Sequence, residues 1–504
     1  MVMRTYGLSG SGIDVDQMVK NIMEAQRTRY NTLAQKKTQI EWKKEDYNTI
    51  YTDINSFRDN TVFNYKLEGT LMPKKAEATN DSVLTAKANA DAATFNHNVK
   101  VTAIAQSASM TSSGAISDGS TSKATLADHL GITGVINLEI SDGTTTKSLS
   151  DYDTTDKSIY DLVSDINKLG LNVKATYDSN LDRFFLSATK TGVDTQITLN
   201  SSDAAGTGAH LLVNKLKLGA DANNLSTSNA AANFTKGANA AVQIDGITLE
   251  QTSNTFTVAG VTYNLKKEGE TNVTVAGDID ATISAVKSFV ESYNKILSEL
   301  NGKVNEKYYR DYLPLTDDQK AAMEDSDIEK WQAFARSGLL RRDSTLTSLI
   351  NSMRSSIASP VSGLSGDYKT ASSIGITTGD YSENGKLYLN ETELRKALEE
   401  DPEIVNKIFG RTGDSYSQQG IAVRLYDSLN TASENLKEIA GTTPKEDTTS
   451  TLGKEIGDYA DRLYALNERL NDMEDRYYAQ FNAMELALSK LSQQSSWLAQ
   501  QFSS

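Results

Sequence analysis

The sequence predicts an α+β fold in which antiparallel β-rich segments are nested inside a helical frame built from the two ends of the chain. Three observations predict it. Apolar residues recur every three or four positions at both ends, alternate with polar ones between about 76 and 278, and return to the helical step from 279 onward.

At the start, GLSGSGIDVD (7–16) poses a choice between a phosphate-binding loop and the lead-in to a helix. A phosphate loop needs a preceding strand, so that its glycines turn into a helix whose free N–H groups face the anion. Only six residues precede Gly7, the order is G-x-x-G-x-G, and no G-K-[ST] follows, so the lead-in is the better reading. Asp14 is placed to accept from the first helical turn and Gln17 to reach back, a variant capping box, while Asp14 and Asp16 suit the positive end of the helix dipole. Val15, Met18, Ile22 and Ala25, and then Leu33, Ile40, Tyr47, Ile50, Ile54 and Phe57, follow within each run steps of three, four or seven, with no proline before Pro73. A continuous helix over 14–68 makes a rod on the order of 80 Å long.

The middle is rich in Ala, Ser, Thr, Asn, Asp and Gly. NVKVTAIAQ (98–106), VINLEIS (135–141), VKATYD (173–178), RFFLSAT (183–189), AVQIDGITLE (241–250), FTVAGVTYNLK (256–266) and NVTVAG (272–277) read as antiparallel strands. SIYDLVSDINKLG (158–170) instead places Ile159, Leu162, Val163, Ile166 and Leu169 on one helical face, with Gly170 positioned to end it.

After 279 the segments 281–303, 343–357 and 391–410 are amphipathic helices bounded by Asp343, Pro360, Asn390 and Gly410. Between the last two, ITTGDYSENGKLYLN (376–390) predicts a hairpin around Asn384-Gly385, a dipeptide suited to a type I′ turn. A polar loop at 441–453 leads into the final helix. There Ile456, Tyr459, Leu463, Leu466, Leu470, Met473, Tyr477, Phe481, Met484, Leu488, Leu491, Leu498 and Phe502 form a second seam. Two successive steps of four around Tyr477 and Phe481 locally relax left-handed supercoiling. Residues 1–75 hold 12 Lys plus Arg and 9 Asp plus Glu, residues 451–504 hold 5 and 8, and the opposite signs permit the ends to pair. For 41–68 and 456–475 the seam is read as the core face of a local bundle. Leu491, Trp497, Leu498 and Phe502 run nearly to the last residue, where little of the same chain is left to cover them, so the extreme ends call for another protein.

Composition narrows the chemistry. The 504 residues carry 51 Lys plus Arg against 66 Asp plus Glu, and the resulting charge of −15 argues against nucleic acid and anionic lipid as partners. No apolar run approaches the roughly 20 residues that span a bilayer, and the first 30 residues show no signal-peptide pattern. By these tests alone the protein reads as cytosolic. With no cysteine, disulfides, thiolate zinc and thiol nucleophiles drop out, which also suits a chain that travels unfolded. His97, His129 and His210 are far apart and read as surface or turn residues, and no H-E-x-x-H is present. DYDTTD (151–156) lacks the Gly and Glu of a calcium loop and reads as a polar turn; no G-x-S-x-G occurs, and nothing selects a carboxylate pair. No catalytic, cofactor or metal residue is proposed.

The pieces together resemble the bacterial flagellar filament-capping family, hook-associated protein 2 (FliD). The resemblance is carried by GLSGSGIDVDQMVKNIMEAQRTRYNTLAQKKTQIEWKKEDYNTI at the start and LNERLNDMEDRYYAQFNAMELALSKLSQQSSWLAQQF at the end. The segments 314–355 (PLTDDQKAAMEDSDIEKWQAFARSGLL and onward) and 372–410 add to it, and TLADHLGITG with 159–192 is similar to a flagellin hook IN motif. The resemblance implies a non-enzymatic cap, exported unfolded through the flagellar type III channel and located outside the cell at the filament tip. Its partners would be further copies of itself in a small ring, flagellin, the hook–filament junction proteins, the export apparatus and an export chaperone. Flagellin subunits would fold and insert beneath a plate formed by the β-rich head.

In this reading 1–40 with 462–504 form a coiled-coil leg, 41–75 with 279–461 a helical domain, 76–110 with 235–278 an inner head domain, and 111–234 an outer, variable one. A leg that grips and releases needs a moderate interface with adaptable apolar anchors. The candidates are Leu8, Ile13, Val15, Met18, Ile22, Met23, Phe481, Met484, Leu488, Leu491, Trp497, Leu498 and Phe502. Two other readings remain open at this point: a surface adhesin acting through 111–234, and a cell-wall hydrolase carried on the flagellar axis.

Overall fold

The computed structural model describes residues 14–117, 124–203, 206–223, 225–229, 231–443 and 447–502, the last of these without the Phe502 side chain. The chain divides into two compact units, one formed by 1–71 with 279–504 and the other by 72–278. The fold is α+β, with antiparallel sheets throughout.

The first unit is helical. Its N-terminal helix Val15–Ser56 is continuous for 42 residues, on the order of 60 Å, and then tightens through a π turn Phe57–Val62 and a 3₁₀ turn Asn64–Lys66. The uninterrupted rod expected over 14–68 therefore ends about a dozen residues early. Asp14 caps it, accepting from the Gln17 N–H at 2.9 Å, but the Gln17 amide turns forward to Asn21 (2.7 Å), so the reciprocal half of the expected capping box is absent. Tyr47, Ile50, Ile54 and Phe57 enter one core with Phe289 and Tyr293 of Ile279–Asn305, Met353 of Ser344–Ala358, and Leu425 and Leu429 of Ile421–Ala440. Phe289 sits at its centre, 5.1 Å from the Tyr65 ring and 5.0 Å from Phe409. Each fully covered side chain of this size contributes on the order of 2 kcal/mol.

Two local expectations change here. The segment 391–410 is two helices, Glu391–Glu400 and Ile404–Phe409, because Pro402 lacks an N–H and drives Asp401 into an extended conformation (φ −141°, ψ 98°). Around Asn384-Gly385 the strands Ile376–Thr378 and Leu387–Leu389 do pair, and both turn residues keep positive φ (54° and 90°). The connection is not a two-residue type I′ turn, however; it spans 379–386 and contains a 3₁₀ turn Tyr381–Glu383 capped by Asp380.

The second unit carries two β-rich cores. In one, a five-stranded sheet runs Lys74–Ala78, Gly269–Gly277, Phe95–Ala103, Ala240–Ile244, Ile247–Gln251, beside a three-stranded sheet of Thr255–Val258, Val261–Leu265 and Leu84–Ala88. Alternation puts Val99, Val101, Val273 and Val275 inside with Phe256 and Tyr263. In the other, two four-stranded sheets, centred on Val135–Ser141 and Arg183–Ala188, enclose Ile159, Leu162 and Ile166 of the helix Ile159–Lys168. Gly170, at φ +73°, follows that helix as its sequence position predicts. Strands such as KKAEA (74–78) and TKSLSDYD (146–153) escaped the sequence reading, since Lys, Ala, Ser and Asp carry little strand propensity.

His129 is a correction. It is fully buried in the short helix Leu126–Leu130, edge-on to the Tyr177 ring at 5.9 Å, not a surface or turn residue. His97 is half-buried on its strand and hydrogen-bonded to Asp245, and His210 is exposed at the end of a short helix. In DYDTTD, Asp153 accepts from the Thr155 N–H (2.9 Å) and hydroxyl (2.8 Å), closing a polar turn. Among the described residues no group of three or more His, Cys, Asp or Glu is placed to hold a metal ion.

Candidate interaction surface on the terminal helices

The C-terminal helix Thr451–Phe502 lies against the N-terminal helix. Lys44 meets Asp447 and Arg27 meets Glu474, each at 3.7 Å, so the two helices run antiparallel. The opposite charges of the two ends thus pair within one chain, although the Arg27 pair is too exposed to contribute much. The apolar seam does more. Val19 (1% exposed), Met23 (3%) and Leu470 (2%) form its centre, with Val15, Tyr30, Leu466, Met473, Tyr477, Tyr478 and Phe481 packed around them.

This differs from the predicted register at the N-terminal helix. Spacing alone placed Met18 and Ile22 in the seam, but Met18 is 39% exposed and Ile22 is half-buried. Positions 15, 19 and 23 step by four and share one stripe, which the facing helix covers; 18 and 22 lie on the adjacent stripe. Met23 is therefore spent on Leu470 and offers no surface to a partner, whereas Met18 does.

On the C-terminal helix, the stripe predicted from Ile456 to Phe481 is buried or half-buried at every position where it recurs. Among the described residues, Phe481 is the last in the seam. Beyond it the helix continues for on the order of 30 Å, with Met484 (37%), Leu488 (37%), Leu491 (60%), Trp497 (61%) and Leu498 (47%) open to solvent and Leu486 (66%) beside them. The row spans an exposed apolar helix face of the kind that marks interaction sites. Leu8 and Ile13 lie outside the described residues, as does the Phe502 side chain. Leu486 was missed because it falls off the three-four spacing of the seam.

A cleft of about 800 Å³ opens beside the seam, lined by Asp16, Lys20, Glu24 and Arg27 of the N-terminal helix, Asp318 of the short helix Asp317–Ala321, and Glu474. Among the described residues no group of three or more metal-ligating side chains lines it, and no helix is long and apolar enough to cross a membrane. The arrangement offers contact area and adaptable side chains.

Comparison with known proteins places the chain in a family. Residues 11–108 match the family model for the flagellar hook-associated protein 2 N-terminus and 237–493 that for its C-terminus. The stretch between them includes most of the second β-rich core. The flagellar hook-associated protein 2 of Halalkalibacterium halodurans is 32% identical over 99% of this chain and 100% of its own length. The B-type flagellar hook-associated protein 2 of Pseudomonas aeruginosa is 29% identical over 88% of this chain and 84% of its own. Among solved structures, the D1-D2-D3 domains of the flagellar cap protein FliD from Escherichia coli align over 82% of this chain and 99% of that one, at 20% identity and a TM-score of 0.49. These matches lend the adhesin reading no support. With an identity of 32% sustained over nearly its whole length, and both terminal family models satisfied, the chain belongs to the flagellar hook-associated protein 2 (FliD) family, the filament-cap family.

Proposed function

We propose that the protein is a non-enzymatic cap that associates with copies of itself at the distal tip of the bacterial flagellum, outside the cell, and promotes folding and insertion of exported flagellin. The observation that carries the reading is the exposed apolar row from Met484 to Leu498, which extends past Phe481, the last seam residue among the described residues. Such a face, moderate in area and lined by Met, Leu and Trp, suits a contact that must hold and then release as subunits enter. In this reading the leg comprises 1–40 with 462–504, the helical domain 41–75 with 279–461, and the head 76–110 with 235–278 plus 111–234. Met18 and Ile22 supply its N-terminal contacts. Flagellin, the hook–filament junction proteins and the export apparatus are its partners.

The test is deletion of the gene in its source organism, with flagella examined by electron microscopy and the medium assayed for unpolymerised flagellin. The expected result is hooks without filaments and flagellin lost to the medium, rescued by the full chain but not by a chain ending at residue 481. Normal filaments after deletion would overturn the reading.

A further inference from the structure

Between the helices Ile279–Asn305 and Ser344–Ala358 the chain makes an excursion, 306–343, whose two arms run side by side. Gly338, at φ +77°, is where they touch: a Cβ there would sit 2.8 Å from the Tyr308 backbone, so only glycine allows the approach. The Gly338 N–H donates to Glu306 at 3.0 Å, the Ser337 hydroxyl to the Lys307 carbonyl at 2.7 Å, and the Arg342 N–H to the Val304 carbonyl at 3.0 Å. On this platform Tyr309 and Tyr312 each lie 4.9 Å from the Phe334 ring, Tyr312 lies 4.7 Å from Trp331, and the indole N–H is anchored on the Leu313 carbonyl (2.8 Å).

The outer surface of this cluster is apolar and predominantly basic, with Asp311 its one exposed acidic residue between 307 and 313. Tyr308, Leu313 and Phe334 are 37%, 44% and 40% exposed. Around them Lys307, Arg310, Arg341 and Arg342 are all exposed, Lys307 standing 4.5 Å from the Tyr309 ring, and none makes an ion pair among the described residues. Glu306 is turned inward to Gly338. Rigid aromatic anchors ringed by unpaired cations form a docking surface for an acidic partner, conspicuous on a chain of net charge −15.

The same excursion carries the complement. Asp318, Glu324 and Asp325, at the starts of Asp317–Ala321 and Asp325–Arg336, are exposed and make no ion pair among the described residues. The acidic and basic groups are held apart. Arg336 is pinned to Glu45 (2.9 Å) and Asp46 (3.0 Å), whereas Asp318 shares the cleft with Asp16 to Asn31, and 31 to 45 along the N-terminal helix is roughly 20 Å. Within one chain, among the described residues, none of Asp318, Glu324 and Asp325 pairs with Lys307, Arg310, Arg341 or Arg342.

We infer that the basic aromatic patch of one copy receives the acidic ridge 318–325 of a second copy, a head-to-tail contact between neighbouring chains. This rests on the self-association in the proposed function and names the surfaces that make it. Because donor and acceptor differ, the contact is heterologous, and repetition closes a ring when the rotation per copy divides the circle.

The test uses the full-length chain in sedimentation equilibrium, with two reversed forms, K307E/R310E/R341E and D318K/D325K, each checked for wild-type melting. The wild type associates and loses affinity as salt rises from about 50 to about 500 mM. Each reversed form alone dissociates at about tenfold or more higher concentration, since like charges now face each other. An equimolar mixture of the two, or all five changes on one chain, restores association. A wild type that stays monomeric would overturn both this contact and the self-association it rests on. A wild type that assembles, with reversed forms that assemble equally well or a mixture that fails to recover, would overturn this contact alone.

Discussion

Asp142 shows how much one side chain can hold. Its carboxylate accepts from the N–H groups of Thr144 (3.0 Å), Thr145 (2.8 Å) and Asn172 (3.0 Å), from the Thr144 hydroxyl (2.7 Å) and from the Asn172 amide (3.0 Å). Burial pushes this carboxyl up, but the donors, led by the Asn172 N–H, outweigh it and hold the group well below the usual carboxylate range. A pKa depressed on folding contributes stability that is present above the unfolded value near 4 and lost as pH falls toward the folded one. We expect Asp142→Asn to cost about 2 kcal/mol at pH 7 in urea unfolding followed by circular dichroism, and the difference from wild type to shrink steadily below about pH 4. Arg424 makes the same point for a cation: fully buried, it donates to the carbonyls of Ser359 (2.7 Å), Pro360 (2.8 Å), Tyr416 (2.8 Å) and Ser417 (3.3 Å), joining two loops with no carboxylate partner among the described residues. Neither role was legible in the sequence, because short polar loops and a lone arginine look the same whether solvated or enclosed.

At the scale of the element, the helix pair Val15–Ser56 and Thr451–Phe502 is stabilised where it is covered, and beyond Phe481 Leu486, Leu491 and Trp497 are exposed. Leu470 is the pivot, 2% exposed between Val19 and Met23. Leu470→Ala should cost about 3 kcal/mol by loss of burial plus the cavity left behind. Hydrogen exchange is the measurement that localises it: amides in 19–30 and 466–478 should exchange faster, while those of Phe289 and Leu425 in the bundle core keep their protection. Uniform loss across the bundle would show instead that the leg and the bundle unfold as one.

For the whole molecule, the entry and exit of the β-rich unit decide its independence. Strands Lys74–Ala78 and Gly269–Gly277 pair antiparallel with Lys74 opposite Gly277, and the Asp278 N–H donates to the Pro73 carbonyl at 2.8 Å. The chain thus leaves this unit beside the point where it entered, the condition for an insertion that folds alone. Residues 72–278 expressed by themselves should unfold cooperatively on heating, with the β-type circular dichroism expected of their sheets. A non-cooperative melt would mean that the helical frame is needed to close the sheets.

The sequence by itself determined the periodicities, and with them the helical ends, the alternating middle and the helix at 159–168, because side-chain spacing is a property of the local backbone. It also carried the family, through motifs at both ends. Tertiary structure alone decided which stripe of a helix is covered. Val19 rather than Met18 faces inward because the facing helix, more than four hundred residues away in sequence, sets the register. The burial of His129 and Arg424 and the pairing of alanine- and lysine-rich strands have the same origin: each depends on what a distant segment brings into contact, and local spacing does not encode that contact.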